Sequence, residues 1–514
     1  MVLPISLLAP IPVLAVALLA RTRPGTRPAP VPRLAEAAAL AALGLAAGGV
    51  AQLLLAGPIR LGGDLVSVRL DAVSATMALL VGFVGWVVVR YSRTYLDGEP
   101  REGLFHARLL ATLAVVLTLV QSGSLAVLAA GFVVAGAGLR SLLLFYPERA
   151  AARRAAAKFS RVWGAGDAAL IAASGLLWLA FGTLDVAQLS ALAGGGLPAT
   201  AQVAVALLVL AAALKTAAFP LHGWLTEVME APTPVSALLH AGVINGGGFL
   251  LIRLAGLMQA SPGAMATLVM LGGLTALFGA AVMLTQSAVK TALAWSTVAQ
   301  MGFMLLQCGL GLWPLALLHI VAHALYKAHA FLSSGGAVRA VAAVRRPGPV
   351  AVPGGMAVAR AFALALALYA VVAAGFDTLV AHKSPQALAL GAILVFGVAY
   401  LVAQGLADAA PRALMRRTGA ASVAATLAYF AFQGVALTLW GPYLPAAPVP
   451  GSLEWGLIVL ALASFGLVAV AQALFPLWSH HPAAAGLRVH LANGLYLNAL
   501  FDRITGGFRA ANPN

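Results

Sequence analysis

The chain has 514 residues, 62% of them hydrophobic and only 9% charged, where a soluble protein carries about a quarter charged residues. Apolar runs of roughly 18 to 25 residues recur along its whole length, each long enough to span a bilayer as a helix, and that excludes a soluble globular chain. A formal charge of +16 would point to nucleic acid in a soluble protein, but here the basic residues are confined to particular loops, which is the pattern of membrane topology. A cleaved leader would explain only the first apolar run. The single cysteine, Cys308, lies in an apolar run. It excludes internal disulfides, cysteine-ligated iron–sulfur clusters and four-cysteine zinc sites, and reads as core packing.

About fourteen to fifteen membrane helices are predicted, in chain order near 4–20, 34–56, 71–92, 108–121, 124–146, 163–182, 201–219, 234–258, 262–286, 289–312, 314–335, 357–381, 385–406, 419–440 and 454–475. With the N-terminus outside, 23 Lys and Arg fall in loops on one side, from Arg21 through Lys158 to Arg509. The other side receives only Arg60, Arg69, Arg253 and Lys383. That bias predicts a multi-pass protein of a bacterial inner membrane, with the C-terminus in the cytoplasm. Many spans are rich in Ala and Gly, which allow close helix packing in lipid.

Four basic residues remain inside or at the ends of spans: Arg140, Lys215, Lys290 and Lys327. Snorkelling accounts for Arg140 and Lys290 near span ends. Asp167 opens the predicted sixth span, where an acid suits the helix dipole. Lys215 closes the seventh in Lys215–Thr–Ala–Ala–Phe–Pro220–Leu–His222. The proline interrupts the helix, and a broken helix beside a buried lysine is an arrangement transporters use for ion sites. Glu227 and Glu230 follow as candidate charge partners for Lys215, with a solvated loop as the plainer reading of Glu227. His240 sits just inside the eighth span, after Pro232 and Pro234. Ser296, Thr297 and Gln300 form a polar patch in the tenth span that would hold water or pack against a neighbour.

In the eleventh span His319, His323 and Lys327 recur at steps of four residues, so they share one helix stripe about 12 Å long. An isolated charge at the bilayer centre costs at least ~2.5 kcal/mol. Histidine titrates near neutral pH, and burial in general brings a lysine towards that range, so such groups can pass a proton along. Zinc held by the HxxxH pair would need a third ligand in register, and none is there. No metal site is expected in this chain.

These residues resemble a known family. Lys215 to Leu225, Met229 to His240, Lys290 to Phe303 and His319 to Lys327 are similar to the antiporter-like subunits of respiratory complex I and of Mrp cation/proton antiporters, over most of 65–340. The resemblance implies an all-α polytopic membrane protein with two inverted five-helix repeats and broken helices. It divides the chain into N-terminal spans (1–107), a first half-channel (108–258), a second (262–406), C-terminal spans (407–475) and a cytoplasmic tail (476–514). It makes Lys215 the central lysine of the first half, His240 its linking histidine, and His319, His323 and Lys327 the relay of the second; Asp167, Glu230, Ser296 and Gln300 are supporting candidates by their position and polarity alone. Two departures stand out. The stretch Gly131 to Tyr146 has no acid where the family carries a buried glutamate. Spans twelve and thirteen lack the lysine or glutamate that ends the relay, and Asp377, His382 and Lys383 read as peripheral.

A narrower match runs through Leu142 to Arg149, Ser287 to Trp295, Leu325 to Phe331 and Val489 to Arg503, which look like the DabB family, membrane subunits of inorganic-carbon accumulation complexes. It implies a peripheral zinc partner of the DabA kind, similar to a β-type carbonic anhydrase, which holds the zinc and converts CO2 to bicarbonate while the membrane subunit supplies ion-motive energy. No cofactor, nucleic acid or enzymatic activity is expected of this chain itself. Residues 488–509 are its candidate docking surface, or else an amphipathic helix lying on the membrane. The alternative is an Mrp-type Na+/H+ antiporter subunit or a proton-pumping subunit of a complex I quinone oxidoreductase; H+ and Na+ are not distinguished by these residues.

Overall fold

A computed structural model of the protein describes residues 3–336, 354–379, 383–405 and 412–504. Fifteen helical spans follow one another: α1 (Pro10–Arg21), α2 (Val31–Ala56), α3 (Ala72–Tyr95), α4 (Glu102–Leu119), α5 (Leu125–Leu143), α6 (Ala150–Phe181), α7 (Ala199–Lys215), the broken α8 (Thr233–Ala241 and Gly246–Arg253), α9 (Pro262–Met283), α10 (Val289–Gly309), α11 (Trp313–Ser333), α12 (Gly355–Leu379), α13 (Pro385–Gly405), α14 (Arg412–Trp440) and α15 (Ser452–Ala473). Eleven are long and apolar enough to cross a membrane; α1, α7 and α13 are shorter apolar helices, and α10 has 21 residues. Two short helices follow in the tail, α16 (Pro482–Ala492) and α17 (Leu497–Ile504).

Local chemistry sets several starts. Asp71 caps α3, its carboxylate accepting the Ser74 N–H at 2.8 Å while the Ser74 hydroxyl accepts the Asp71 N–H at 2.8 Å, which satisfies two donors that the helix leaves orphaned. Ser124 and Ser261 cap α5 and α9 in the simpler way. Helices α4–α8 and α9–α13 are two successive sets of five, termed the first and second repeat. Because five is odd, the second set enters from the opposite side and runs inverted. Close approach is bought by small residues: a methyl on Gly272 of α9 would lie 2.4 Å from the Leu306 nitrogen of α10, and one on Gly302 would lie 2.4 Å from the Ala276 nitrogen. In lipid, such backbone contact supplies the packing that the hydrophobic effect does not.

One face of the bundle carries the only β structure among the described residues, a hairpin of β1 (Ile59–Gly62) against β2 (Ser67–Leu70). It ties the loops of that face together, Val68 pairing with Ser122 and Ser124 with Asp185. Gln259 extends the same layer, accepting from Trp313 Nε1 at 3.0 Å and donating to the Ala446 carbonyl at 2.8 Å. The opposite face gathers the tail and the arginine-rich loops. Arg101 reaches the Phe145 carbonyl at 2.9 Å, and Gln286 reaches the Ala492 carbonyl at 3.3 Å.

The largest departure from the hydropathy reading is α6. It starts at Ala150 rather than near 163 and has 32 residues, so a charged half-helix that reads as loop is part of the span. Asp167 therefore sits mid-helix and does not open it.

Candidate functional site

In the first repeat α7 stops at Lys215, and Ala217 takes a left-handed φ of +51°. Pro220 prevents the helix from resuming. The freed Phe219 N–H is satisfied by Thr275 of α9 at 3.1 Å. Lys215 is fully buried. Its ammonium lies 2.5 Å from Asp167 Oδ1, and the rings of Trp163 and Phe132 are centred 4.1 and 4.7 Å away. The carboxylate missing from α5 is thus supplied by α6, while α5 contributes Phe132. Gly136, one turn on, has no room for a side chain, since a Cβ there would meet Trp163 Nε1 at 2.4 Å.

Neither glutamate pairs with Lys215. Glu230 is exposed and faces Arg149 at 3.5 Å. Glu227 accepts from Lys158 Nζ at 2.6 Å. Lys158, placed by its arginine-rich surroundings in a cytoplasmic loop, is fully buried in α6, and its ammonium also reaches Asp502 Oδ1 at 2.7 Å and Asn498 Oδ1 at 2.9 Å. Arg154 joins Glu227 at 3.4 Å and pairs with Asp502. Helix α17 thereby closes over the tail-side end of the first repeat. A methyl on Gly223 would lie 1.5 Å from Asn498 Oδ1. The signal in the sequence is weak: a lysine four residues from an arginine, and an Asn/Asp pair 340 residues further on.

The second polar cluster forms around the break in α8, where the first repeat meets α10 and α11 of the second. Its first half ends at Ala241 and Gly242 turns the chain, leaving the His240 carbonyl without a helical partner. His323 Nε2 takes that carbonyl at 3.1 Å. Since a carbonyl only accepts, the His323 proton is on Nε2. His240 Nδ1 lies 3.1 Å from Thr297 Oγ1, whose own proton goes to the Leu293 carbonyl at 3.0 Å, so His240 donates from Nδ1 and its Nε2 is bare. Lys327, fully buried, donates to that same Leu293 carbonyl at 3.0 Å and to Ser296 Oγ at 2.6 Å. His319 stands next along α11, its ring 6.0 Å from that of His323. The predicted stripe exists, and α10 and α8 complete it. Gln300 does not join it, because its side chain is exposed.

Lys215 and Lys327 differ in one respect. The first ammonium faces a carboxylate, whereas the second is held by a carbonyl and a hydroxyl, both neutral. No direct bond among the described residues joins Lys215 to His240. Between them Gly247 of α8 packs on α7, where a methyl would lie 2.4 Å from the Ala212 carbonyl.

Three more polar groups have partners that the sequence does not announce. His222 is buried against Trp295 at 4.8 Å between ring centroids. Lys290 does not snorkel freely: it donates to Thr233 at 3.1 Å. Lys383 is buried rather than peripheral, with Nζ 2.5 Å from Gln433 Oε1 and 3.4 Å from the centre of the Phe430 ring. Its backbone N–H is held by Asp377 at 3.0 Å. His382 lies outside the described residues. Arg140 is exposed, as snorkelling requires.

Comparison with known proteins gives the following. Residues 122–376 match the family model described as NADH:quinone oxidoreductase/Mrp antiporter, TM. Residues 65–106 match the N-terminus of complex I chain 5. The chain is 38% identical to "Probable inorganic carbon transporter subunit DabB2" of Halothiobacillus neapolitanus over 88% of its own length and 82% of that protein's. It is 44% identical to the DabB of Hydrogenovibrio crunogenus, over 53% of each chain. Among solved structures, the Mrp complex of Dietzia superposes with a TM-score of 0.60 at 21% identity, covering 98% of this chain and 60% of that one. An archaeal membrane-bound sulfane sulfur reductase superposes with a TM-score of 0.58 at 18% identity, over 96% of this chain and 98% of that one. These two likenesses concern the fold.

Proposed function

The chain belongs to the DabB family of inorganic carbon transporter subunits, within the antiporter-like membrane subunits of NADH:quinone oxidoreductases and Mrp antiporters, and on that premise we propose that it conducts protons to energise inorganic-carbon uptake by a peripheral partner. The partner is a DabA-like zinc protein resembling a β-type carbonic anhydrase; the zinc belongs to it, and this chain carries no catalysis. The tail face is cytoplasmic, and the exposed side of α16 and α17 is where the partner docks.

The observation that carries the reading is the junction at the broken α8, where His240 is bonded through its ring to α10 and through its carbonyl to His323 of α11. A purely structural junction would be cheaper with apolar side chains, since each buried polar group must find a partner. The bare Nε2 of His240 and the hydroxyls of Thr297 and Ser296 are groups that accept and release protons, and water between them completes a path towards Lys327. In the first half the Asp167–Lys215 pair holds a proton at the break in α7. The acceptors of Lys327 are a carbonyl and a hydroxyl, both neutral, so losing its proton leaves no buried carboxylate uncompensated.

The test has two parts. A tagged protein purified from native membranes should bring down a stoichiometric, zinc-bearing peripheral subunit, identified by mass spectrometry and a zinc assay. Lys215→Ala and Lys327→Ala should assemble with that partner yet fail to accumulate inorganic carbon. Normal uptake in both variants sinks the proton-path reading. Redox or Mrp subunits in place of the zinc partner would move the chain to respiration or cation export.

A further inference from the structure

The hairpin face holds a second concentration of charge that the proton path does not use. Arg253 ends α8 and its side chain is 2% exposed. Its Nη1 donates to Asp71 Oδ2 at 2.7 Å, and Arg69 Nε shares that oxygen at 2.9 Å. The other carboxylate oxygen of Asp71 is taken by the Ser74 N–H. Two guanidiniums thus share one saturated carboxylate and keep a net positive charge. Arg253 Nε and Nη2 are buried and have no partner among the described residues. They form one edge of the guanidinium, the edge that accepts two oxygens side by side.

Arg253 and Arg69 both line a cavity of about 390 Å³, together with Asp71, Ser190, Gly256 and Tyr443. A water occupies about 30 Å³ of liquid volume, so the space admits a small ion together with several waters. The nearby acid, Asp185, is already committed: one oxygen caps the short helix Val186–Ala193 and the other pairs with Arg60 at 2.8 Å. Nothing in the cavity neutralises the remaining charge. A buried charged donor without an acceptor is costly, and an anion removes that cost more fully than water does.

We propose that this cavity is an oxyanion site: the free edge of Arg253, backed by Arg69, binds an anion that presents two oxygens, as bicarbonate or a phosphate group does. The inference rests on the cavity and its arginines, and stands whether or not the chain serves carbon uptake. Bicarbonate from solution and the phosphate of a lipid headgroup are the two sources of that chemistry.

The full-length protein in detergent would be titrated with sodium bicarbonate against sodium chloride at equal ionic strength and pH, following thermal unfolding, with its bound phospholipid measured by mass spectrometry. The expected result is a saturable rise in Tm with bicarbonate and none with chloride. Arg253→Lys keeps a cation for Asp71 but loses the two-pronged edge, and should weaken the response about tenfold or more, the factor carried by one charge-assisted hydrogen bond. Arg69→Gln should weaken it as well and decides the matter if Arg253→Lys does not fold. Arg60→Gln should leave it intact. A phospholipid retained by the wild type and lost from Arg253→Lys, with no bicarbonate response, supports the site with a headgroup as its ligand. Neither response in the wild type, or an undiminished response in both Arg253→Lys and Arg69→Gln, overturns the proposal.

Discussion

Lys215 and Asp167 form an ion pair of 2.5 Å between a helix that ends and a helix that runs through. The lysine sits where α7 gives out, so its position depends on loop backbone as well as on helix packing. The aspartate sits mid-way along α6, where it is held rigidly. The pair therefore joins the interrupted helix of the first repeat to a continuous one.

Asp167→Asn leaves the ammonium against two aromatic rings without a counter-charge. Removing one partner of a buried pair costs about 3–5 kcal/mol, less where water has some access as at Asp167. Proton flux in proteoliposomes should fall at least about tenfold, and Tm should drop. In a double-mutant cycle with Lys215→Met the two losses should be strongly non-additive; additivity would mean that the pair does not act as a unit.

Ser296→Ala removes one of two acceptors from the Lys327 ammonium. A hydrogen bond to a charged group is worth about 1.5–3 kcal/mol, so flux should decline by about ten- to a hundredfold while Lys327→Met abolishes it. Gln300→Ala, altering an exposed side chain one turn away, should match the wild type. A defect in Gln300→Ala equal to that in Ser296→Ala would contradict the arrangement on α10.

Gly223→Ala drives a methyl into Asn498, and the cheapest relief is for α17 to lift from the body. Limited proteolysis between 479 and 504 should become several-fold faster, with α1–α15 still resistant. Asp502→Asn should show the same direction at smaller size, because Lys158 keeps Glu227. Unchanged proteolysis in Gly223→Ala would show that the tail is not seated there.

Asp64 in the hairpin turn is held below the usual carboxylate range, first by the Thr183 hydroxyl and then by the Leu184 and Asp185 N–H groups. A carboxylate that is more acidic folded than unfolded stabilises above its unfolded value near ~4 and loses that contribution as pH falls through the folded value. Hydrogen exchange of 59–70 should be independent of pH-driven opening near neutrality and should show loss of protection on acidification below about pH 4. Thr183→Val should shift that loss to higher pH.

Much of the bundle was readable from the chain because lipid imposes two strong rules, one on length and one on charge placement. Fifteen apolar runs appear as fifteen helical spans, and the His319–His323–Lys327 stripe follows from the helical repeat alone. The failures share a cause. Hydropathy begins a span where charges stop, so the amphipathic start of α6 reads as loop, which puts Lys158 outside the span and Asp167 at its opening. The pairings of Glu227, Glu230 and Lys383 are tertiary: they depend on α17, Arg149 and α14, and no local pattern announces them. His240 was legible as a residue, but its role as a junction required the broken backbone, which frees the carbonyl that His323 takes.

The seating of α17 also bears on how the molecule is made. Lys158 enters the membrane with α6, yet Asn498, one of its partners, is synthesised 340 residues later. For most of translation the lysine has Glu227 at best, and the first repeat stays open on its tail side. Closure of α17 over Lys158 therefore comes only after the fifteen spans have been synthesised.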